Sequence, residues 1–103
     1  MSADANGSSL KYTVEISGFI KTRMGALAKQ ASATGQLQAY VDAWREIGQR
    51  LENKPLQFGE CHYHMSKGQL RCHIGIVTPV AVEFAIHLEK RKVVLLKVSL
   101  LGI

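Results

Sequence analysis

The spacing of the apolar residues changes at Pro55, and this change constrains the fold more than any other feature of the chain. Before Pro55 the apolar residues recur at the spacing of one face of an amphipathic helix. After it they alternate with polar residues, as in a strand that has one buried face. Because proline cannot continue a helix, a helical part and a run of strands meet here. The pattern predicts an α+β fold, in which a helical hairpin packs on a mainly antiparallel sheet.

Two helices are predicted in the first half of the chain, with a short strand before them. The second helix has the more regular apolar stripe, formed by Leu37, Tyr40, Val41, Trp44, Ile47, Gly48 and Leu51. We assign Tyr40 and Trp44 to the core, although two aromatic residues one helical turn apart can also form a base-stacking platform. The first helix follows Ser17 and ends near Gly35, because glycine favours a helix stop. Residues 11–16 alternate and predict the first strand.

Two β-hairpins are predicted in the second half of the chain. The predicted strands are 58–65, 69–77, 80–88 and 93–101. A turn at Ser66, Lys67 and Gly68 joins the first two strands, and a break at Pro79 follows them. A charged turn at Glu89, Lys90, Arg91 and Lys92 joins the last two strands. A two-residue turn centred on Lys67 and Gly68 suits the first hairpin. Pro79 separates the two hairpins, because proline cannot donate a hydrogen bond to a strand ladder.

The length and the polarity of the chain limit its organisation. A chain of 103 residues, of which 47% are hydrophobic, has about the size of one domain with its own core. Residues 1–9 are small and polar, so we expect a disordered start followed by a single domain over residues 10–103. No apolar run approaches the roughly 20 residues that span a bilayer. We therefore expect a cytoplasmic protein without a membrane partner, in which Cys61 and Cys72 remain thiols.

The charge of the chain bears on its partners. Thirteen Lys and Arg against eight Asp and Glu give a formal net charge of +5, which attracts anions such as nucleic acid. The same charge can also serve only to keep a small domain soluble. As nucleic-acid-binding candidates we select basic residues of the two predicted hairpin turns, namely Lys67, Lys90, Arg91 and Lys92. The alternative is that these side chains belong to solvated turns without a partner.

Strand alternation places polar residues of the first hairpin on one face. A two-residue turn pairs His64 with Arg71. The same register pairs His62 with His73, so that polar positions meet polar ones. These four residues are our catalytic candidates. The reverse face carries the two cysteines, and we assign it to the core.

Four interpretations of this polar face remain open. Imidazoles that move a proton, beside an arginine that holds a phosphate, suit the cleavage of RNA. Three histidines, His62, His64 and His73, also have a composition that binds zinc, although we assign no metal and no cofactor. The face can instead be a basic contact surface without catalysis. The fourth interpretation is an ordinary solvent-exposed sheet face that happens to carry histidines.

We also expect His87, in the next strand, to be a partly buried structural residue.

The closing hairpin carries a resemblance to a known family. The stretch VAVEFAIHLEKRKVVLLKVSLL has a hydrophobic strand, a charged turn and a last strand rich in Val and Leu. With the preceding order of one strand and two helices, it resembles the RelE/ParE superfamily of bacterial type II toxin-antitoxin systems. The resemblance covers residues 11–101 in element order, and its specific part is this hairpin together with the helix that ends at Pro55.

The resemblance implies a toxin that either cuts messenger RNA in the ribosome, as RelE-like members do, or inhibits DNA gyrase without cleavage, as ParE-like members do. Arg71 and His73 match basic positions of the family. Two other positions where the family has arginine correspond to Ala81 and Leu101 here, and the family's helical or aromatic tail is missing. The expected function is therefore a toxin-like protein directed at RNA or the ribosome, with endoribonuclease activity as an open question. The alternative is a nonenzymatic, protein-binding member of the same fold. The partners implied are an antitoxin, RNA or the ribosome, with a homodimer as a further candidate.

Overall fold

Two helices pack on one face of a five-stranded sheet in the computed structural model, which describes residues 11–65 and 69–102. The elements are β1 (Thr13–Glu15), α1 (Gly18–Ala33), α2 (Leu37–Asn53), a 3₁₀ turn (Pro55–Gln57), β2 (Glu60–Met65), β3 (Leu70–Val77), β4 (Val80–His87) and β5 (Lys92–Leu100). The predicted α+β class and the helical hairpin on a mainly antiparallel sheet are confirmed. The predictions for residues 1–9 and for the turn with Lys67 fall outside the described residues.

Local signals in the sequence define both ends of α1. The Ser17 side chain accepts a hydrogen bond from the Ile20 amide at 3.2 Å and caps the start of the helix. At the other end Gly35 has a φ of 74°, which glycine adopts without steric cost. The Gln36 amide donates to the Ala31 carbonyl at 2.7 Å, and this bond turns the chain toward α2.

The strands follow the order β1-β5-β4-β3-β2. Neighbouring strands are antiparallel from β2 to β5, whereas the short β1 lies parallel to β5. The structure therefore has β2 along one edge of the sheet and β1 at the other. Neither helix in residues 11–65 is long and apolar enough to cross a membrane.

The core lies between the helices and one face of the sheet. From the helices it includes Ile20, Leu27, Ala31, Tyr40, Ala43, Ile47 and Leu51, and from β4 Val80, Val82, Phe84 and Ile86. The Tyr40 hydroxyl donates to the Met24 carbonyl at 2.7 Å and links α2 to α1. Burial raises the pKa of Tyr40, and the polar side chain of Trp44 nearby opposes this effect. The assignment of Tyr40 to the core is confirmed, since it is buried in the helix pair.

The two faces of β3 are the reverse of our prediction. His73 lies opposite Phe84, and Arg71 lies opposite Ile86, so both point to the side of the helices. The apolar residues Ile74 and Ile76 point to the outer face, where no helix packs, and Ile76 is 55% exposed. The predicted exposed polar face of this hairpin is therefore wrong.

A glycine in β3 makes this arrangement fit. Gly75 pairs with Val82, so a side chain at this position would face the helices, and the Phe58 ring lies over it. The Phe58 ring also stacks on Phe84, with 5.5 Å between the ring centroids. A large aromatic side chain from the segment before β2 thus fills the space that a side chain at position 75 would otherwise need.

Gly75→Ala should destabilise the fold. A Cβ at this position would lie 2.6 Å from Phe58 Cζ, so the buried ring must shift away from its packed position. We expect a loss of about 2–3 kcal/mol in the free energy of unfolding, measured by urea denaturation. Gly25→Ala in α1 is the control, because nothing lies within 4 Å of its added Cβ. It should stabilise the protein by about 0.5–1 kcal/mol. Equal stability of the two variants would contradict the packing described.

Candidate functional site

One end of the sheet brings together most of the residues selected from the sequence. The last row of paired positions across the strands is Met65, Leu70, His87, Lys92 and Thr13. We call this row, together with the chain segments that adjoin it, the turn end of the sheet. Both hairpins reverse direction here, and β1 begins here.

Backbone hydrogen bonds hold these separate segments together. The Leu88 amide donates to the Gln69 carbonyl at 3.2 Å, which joins the β4–β5 turn to the start of β3. The Thr13 amide donates to the Arg91 carbonyl at 2.9 Å. The Tyr12 amide donates to the Glu52 carbonyl at 2.8 Å and adds the end of α2 to the group. These bonds hold the backbone segments that carry the charged side chains of the turn end.

The β4–β5 turn supplies three of the predicted nucleic-acid-binding residues. Lys90 and Arg91 are exposed, and the Arg91 guanidinium lies 5.4 Å from the centroid of the Tyr12 ring. Lys92 begins β5 and forms an ion pair with Glu15 at 3.0 Å. Because of this ion pair, Lys92 attracts an anion less strongly than an unpaired lysine does.

Sequence reasoning missed Lys11 as part of this group. It is exposed and directly precedes Tyr12, on which Arg91 stacks. The signal that could have found it is the parallel pairing of β1 with β5, which brings the beginning of the first strand to the turn before the last one. The sequence predicted both strands but not their adjacency.

His64 and Arg71 pair across β2 and β3 as predicted, one row in from the turn end. His64 is exposed and Arg71 is half-buried. The Nε atom of Arg71 is buried and has no hydrogen-bond partner in the described part of the chain. This pair therefore lies next to the basic turn, on the side of the sheet that carries the helices.

His73 does not join the exposed pair. Only 3% of its surface is accessible, and its ring lies 5.6 Å from that of Phe84. Its Nδ1 is 3.0 Å from the Phe58 carbonyl. A carbonyl oxygen only accepts, so Nδ1 carries the proton and donates it to this bond. His73 packs as a core residue in this fold.

His62 is separated from His73 by a β-bulge. The register places Tyr63 opposite Cys72 as predicted, but the next pair is Cys61 with His73, so that His62 is the extra residue of β2. The predicted pairing of His62 with His73 is therefore wrong. Cys61 is exposed, so its assignment to the core is wrong, whereas Cys72 is buried as expected.

The histidines do not form a metal site in this arrangement. In residues 11–65 and 69–102 no group of three or more His, Cys, Asp or Glu side chains is placed to hold a metal ion. The fourth histidine, His87, is half-buried, as expected, and its Nδ1 accepts a hydrogen bond from the Lys90 amide at 3.4 Å. His87 thus supports the basic turn.

No protein-family model matches the chain, and the searches of curated proteins and of solved structures found no match either.

His73→Ala should cost stability, whereas His64→Ala should not. The first change opens a cavity beside Phe84 and leaves the Phe58 carbonyl without its donor, so we expect about 2–4 kcal/mol less stability. The second removes an exposed side chain and should stay within about 0.5 kcal/mol of the wild type. Chemical denaturation of both variants measures the difference. An unchanged unfolding midpoint for His73→Ala would show that His73 is not a core residue.

Proposed function

We propose that this protein is a toxin-like member of the RelE/ParE type that binds RNA through the turn end of its sheet. The observation that supports the proposal is that separate segments of the chain carry cations to one end of the sheet. They are Lys11 before β1, Arg71 in β3, and Lys90, Arg91 and Lys92 in and after the β4–β5 turn. The choice of RNA as the anion comes from the family resemblance.

The charge distribution supports phosphate contacts at this place. Lys11, Lys90 and Arg91 are exposed, and their backbone segments adjoin one another because the Thr13 amide bonds to the Arg91 carbonyl. Each lysine or arginine that contacts a phosphate releases condensed counterions, so several neighbouring cations give a strong attraction that salt weakens. Glu89 in the same turn lowers this attraction without cancelling it, since it is one carboxylate among three cations.

The geometry favours binding over cleavage by a pair of histidines. General acid-base cleavage of RNA needs two groups that reach the reacting atoms. His64 beside Arg71 supplies one exposed imidazole. His73 is buried against Phe84, and His62 is exposed at the bulge, outside the regular pairing of β2 with β3. RNA binding is therefore the activity that we propose, and loss of intact RNA is a separate outcome of its test.

Removing two cations from the turn end should weaken RNA binding. We compare Lys11→Gln/Lys90→Gln with Lys21→Gln/Lys29→Gln, which lies on α1 and removes the same charge. Binding of a fluorescent 20-nucleotide single-stranded RNA is followed by anisotropy. The first variant should raise Kd about tenfold and lower the salt slope by about 1.4, which is the effect of two phosphate contacts. The second should stay within about twofold of the wild type.

Two results would contradict the assignment. Equal losses in both double variants would show that only the net charge of +5 attracts RNA. Absence of binding by the wild type at low salt would exclude the turn end as an RNA site. A duplex DNA of the same length serves as a competitor, and tighter binding of this DNA would reassign the site from RNA to DNA.

Expression in a bacterial host tests the toxin-like action. We expect growth arrest with intact messenger RNA, relieved by Lys11→Gln/Lys90→Gln and retained by Lys21→Gln/Lys29→Gln. Growth is followed together with RNA integrity on gels. Arrest with cleaved RNA that His64→Gln/Arg71→Gln prevents would instead establish a ribonuclease. Normal growth at high expression would contradict a toxin-like action.

A further inference from the structure

β5 has a partner along only part of its outer edge. It spans Lys92–Leu100, and β1 pairs only with Lys92, Val93 and Val94. In the part of the chain that the structure describes, no strand pairs with residues 95–100 on the side away from β4. The backbone groups on such an edge can pair with another strand.

An apolar groove lies beside this open half of the edge. Its lining residues are Phe19, Ile20, Arg23, Leu96, Lys97 and Val98, and its volume is about 210 Å³. Phe19 is 80% exposed in the first turn of α1, and Leu96 is 48% exposed. An apolar cavity of roughly 150 Å³ is sufficient for a benzene molecule, so this groove can hold one aromatic or aliphatic side chain.

A bulge in β5 creates one wall of the groove. Glu83 pairs with Lys97 and Phe84 pairs with Leu95, so Leu96 is an extra residue between them. An extra residue cannot follow the regular alternation of a strand, and here it adds an exposed apolar side chain next to Phe19. Two large apolar side chains from different elements thus remain in solvent side by side.

The charges around the groove are basic. Arg23 and Lys97 are exposed and line it, and no acidic residue does. Within residues 11–65 and 69–102, Arg23 forms no ion pair. Lys97 pairs across the strands with Glu83, whose negative charge weakens its attraction for an anion. Arg23 therefore attracts an anion more strongly than Lys97 does. A carboxylate beside an apolar anchor complements this set of side chains.

We propose that the groove and the open half of the β5 edge bind an extended protein segment with an apolar anchor residue flanked by Asp or Glu. The anchor enters the groove between Phe19 and Leu96, the carboxylate pairs with Arg23, and the backbone pairs with β5 beyond Val94. This is β-strand addition, in which main-chain hydrogen bonds supply affinity and the groove supplies selectivity. The surface is separate from the turn end, because β1 occupies the part of β5 that adjoins the turn end.

Other occupants fit less well. An RNA base can stack on Phe19, but a nucleotide has no main-chain amides and carbonyls to pair with the open edge of β5. A second copy of this chain would bring a net charge of +5 toward the two cations of the groove, and like charges repel. An acidic segment of a different protein satisfies both the apolar and the electrostatic requirement.

A peptide array tests the proposal directly. It carries ten-residue peptides in which Val, Leu or Phe alternates with Asp or Glu, and a matched array has Lys or Arg in place of the acids. Wild-type protein should bind peptides of the acidic array only. Proline at alternate positions of a bound peptide should abolish binding, because proline removes the amides that pair with β5.

Variants at the groove identify the site. Phe19→Ala and Arg23→Glu should each weaken binding of a selected acidic peptide at least tenfold, with an unchanged unfolding midpoint because both side chains are exposed. Val41→Ala, 40% exposed on α2, and Lys29→Glu on α1 are the matched controls and should have no effect.

Four results would overturn the proposal. They are the absence of acidic binders, equal binding of the basic array, insensitivity to Phe19→Ala, and a dimer in sedimentation that Phe19→Ala dissociates. The last result would assign the groove to a second copy of the chain.

Discussion

The Phe58 ring packs over Gly75, and the position of the second half of the chain depends on this contact. The ring stacks on Phe84 in the core of the sheet, and the Arg50 guanidinium of α2 lies 5.4 Å from its centroid. One aromatic side chain from the connection between the layers therefore joins the helix, two strands and the start of β2. Its carbonyl also accepts the hydrogen bond of His73, which removes that histidine from solvent.

Burial of His73 changes what the first hairpin can do. The helix side of β3 carries a packed histidine and a half-buried arginine, whereas the turn end carries the exposed side chains of Lys11, Lys90 and Arg91. The two surfaces that we propose for binding lie at different places along β5. Its first residues, where β1 pairs, adjoin the basic turn, and its later residues, where β1 has ended, adjoin the apolar groove. The short β1 thus separates a surface suited to polyanions from one suited to an acidic protein segment.

The helices and strands were predicted well from the sequence, because the spacing of apolar residues depends on which side of each element is buried. The stripe on α2 identified Tyr40, Ile47 and Leu51 correctly as core residues, whereas Leu37 and Val41 of the same stripe are exposed. The faces of β3 were predicted wrongly, since the pattern Arg71, His73 and Gly75 looks polar and Cys72, Ile74 and Ile76 looks apolar. No local signal shows that Phe58 covers the polar positions. The bulge at His62 and the parallel contact of β1 with β5 are also tertiary features, so the pairing of His62 and the role of Lys11 could not be found from spacing.

The central claim is that the turn end of the sheet is the surface that meets RNA. A titration of isotopically labelled protein with a short single-stranded RNA, followed by amide chemical shifts in NMR spectra, tests it most directly because every backbone position reports at once. The account predicts shifts concentrated at residues 11–13, 69–71 and 87–92, with the amides of α1 and of residues 95–100 unchanged. Shifts concentrated on α1 or on residues 74–76 of the outer face, or no shifts at low salt, would contradict it.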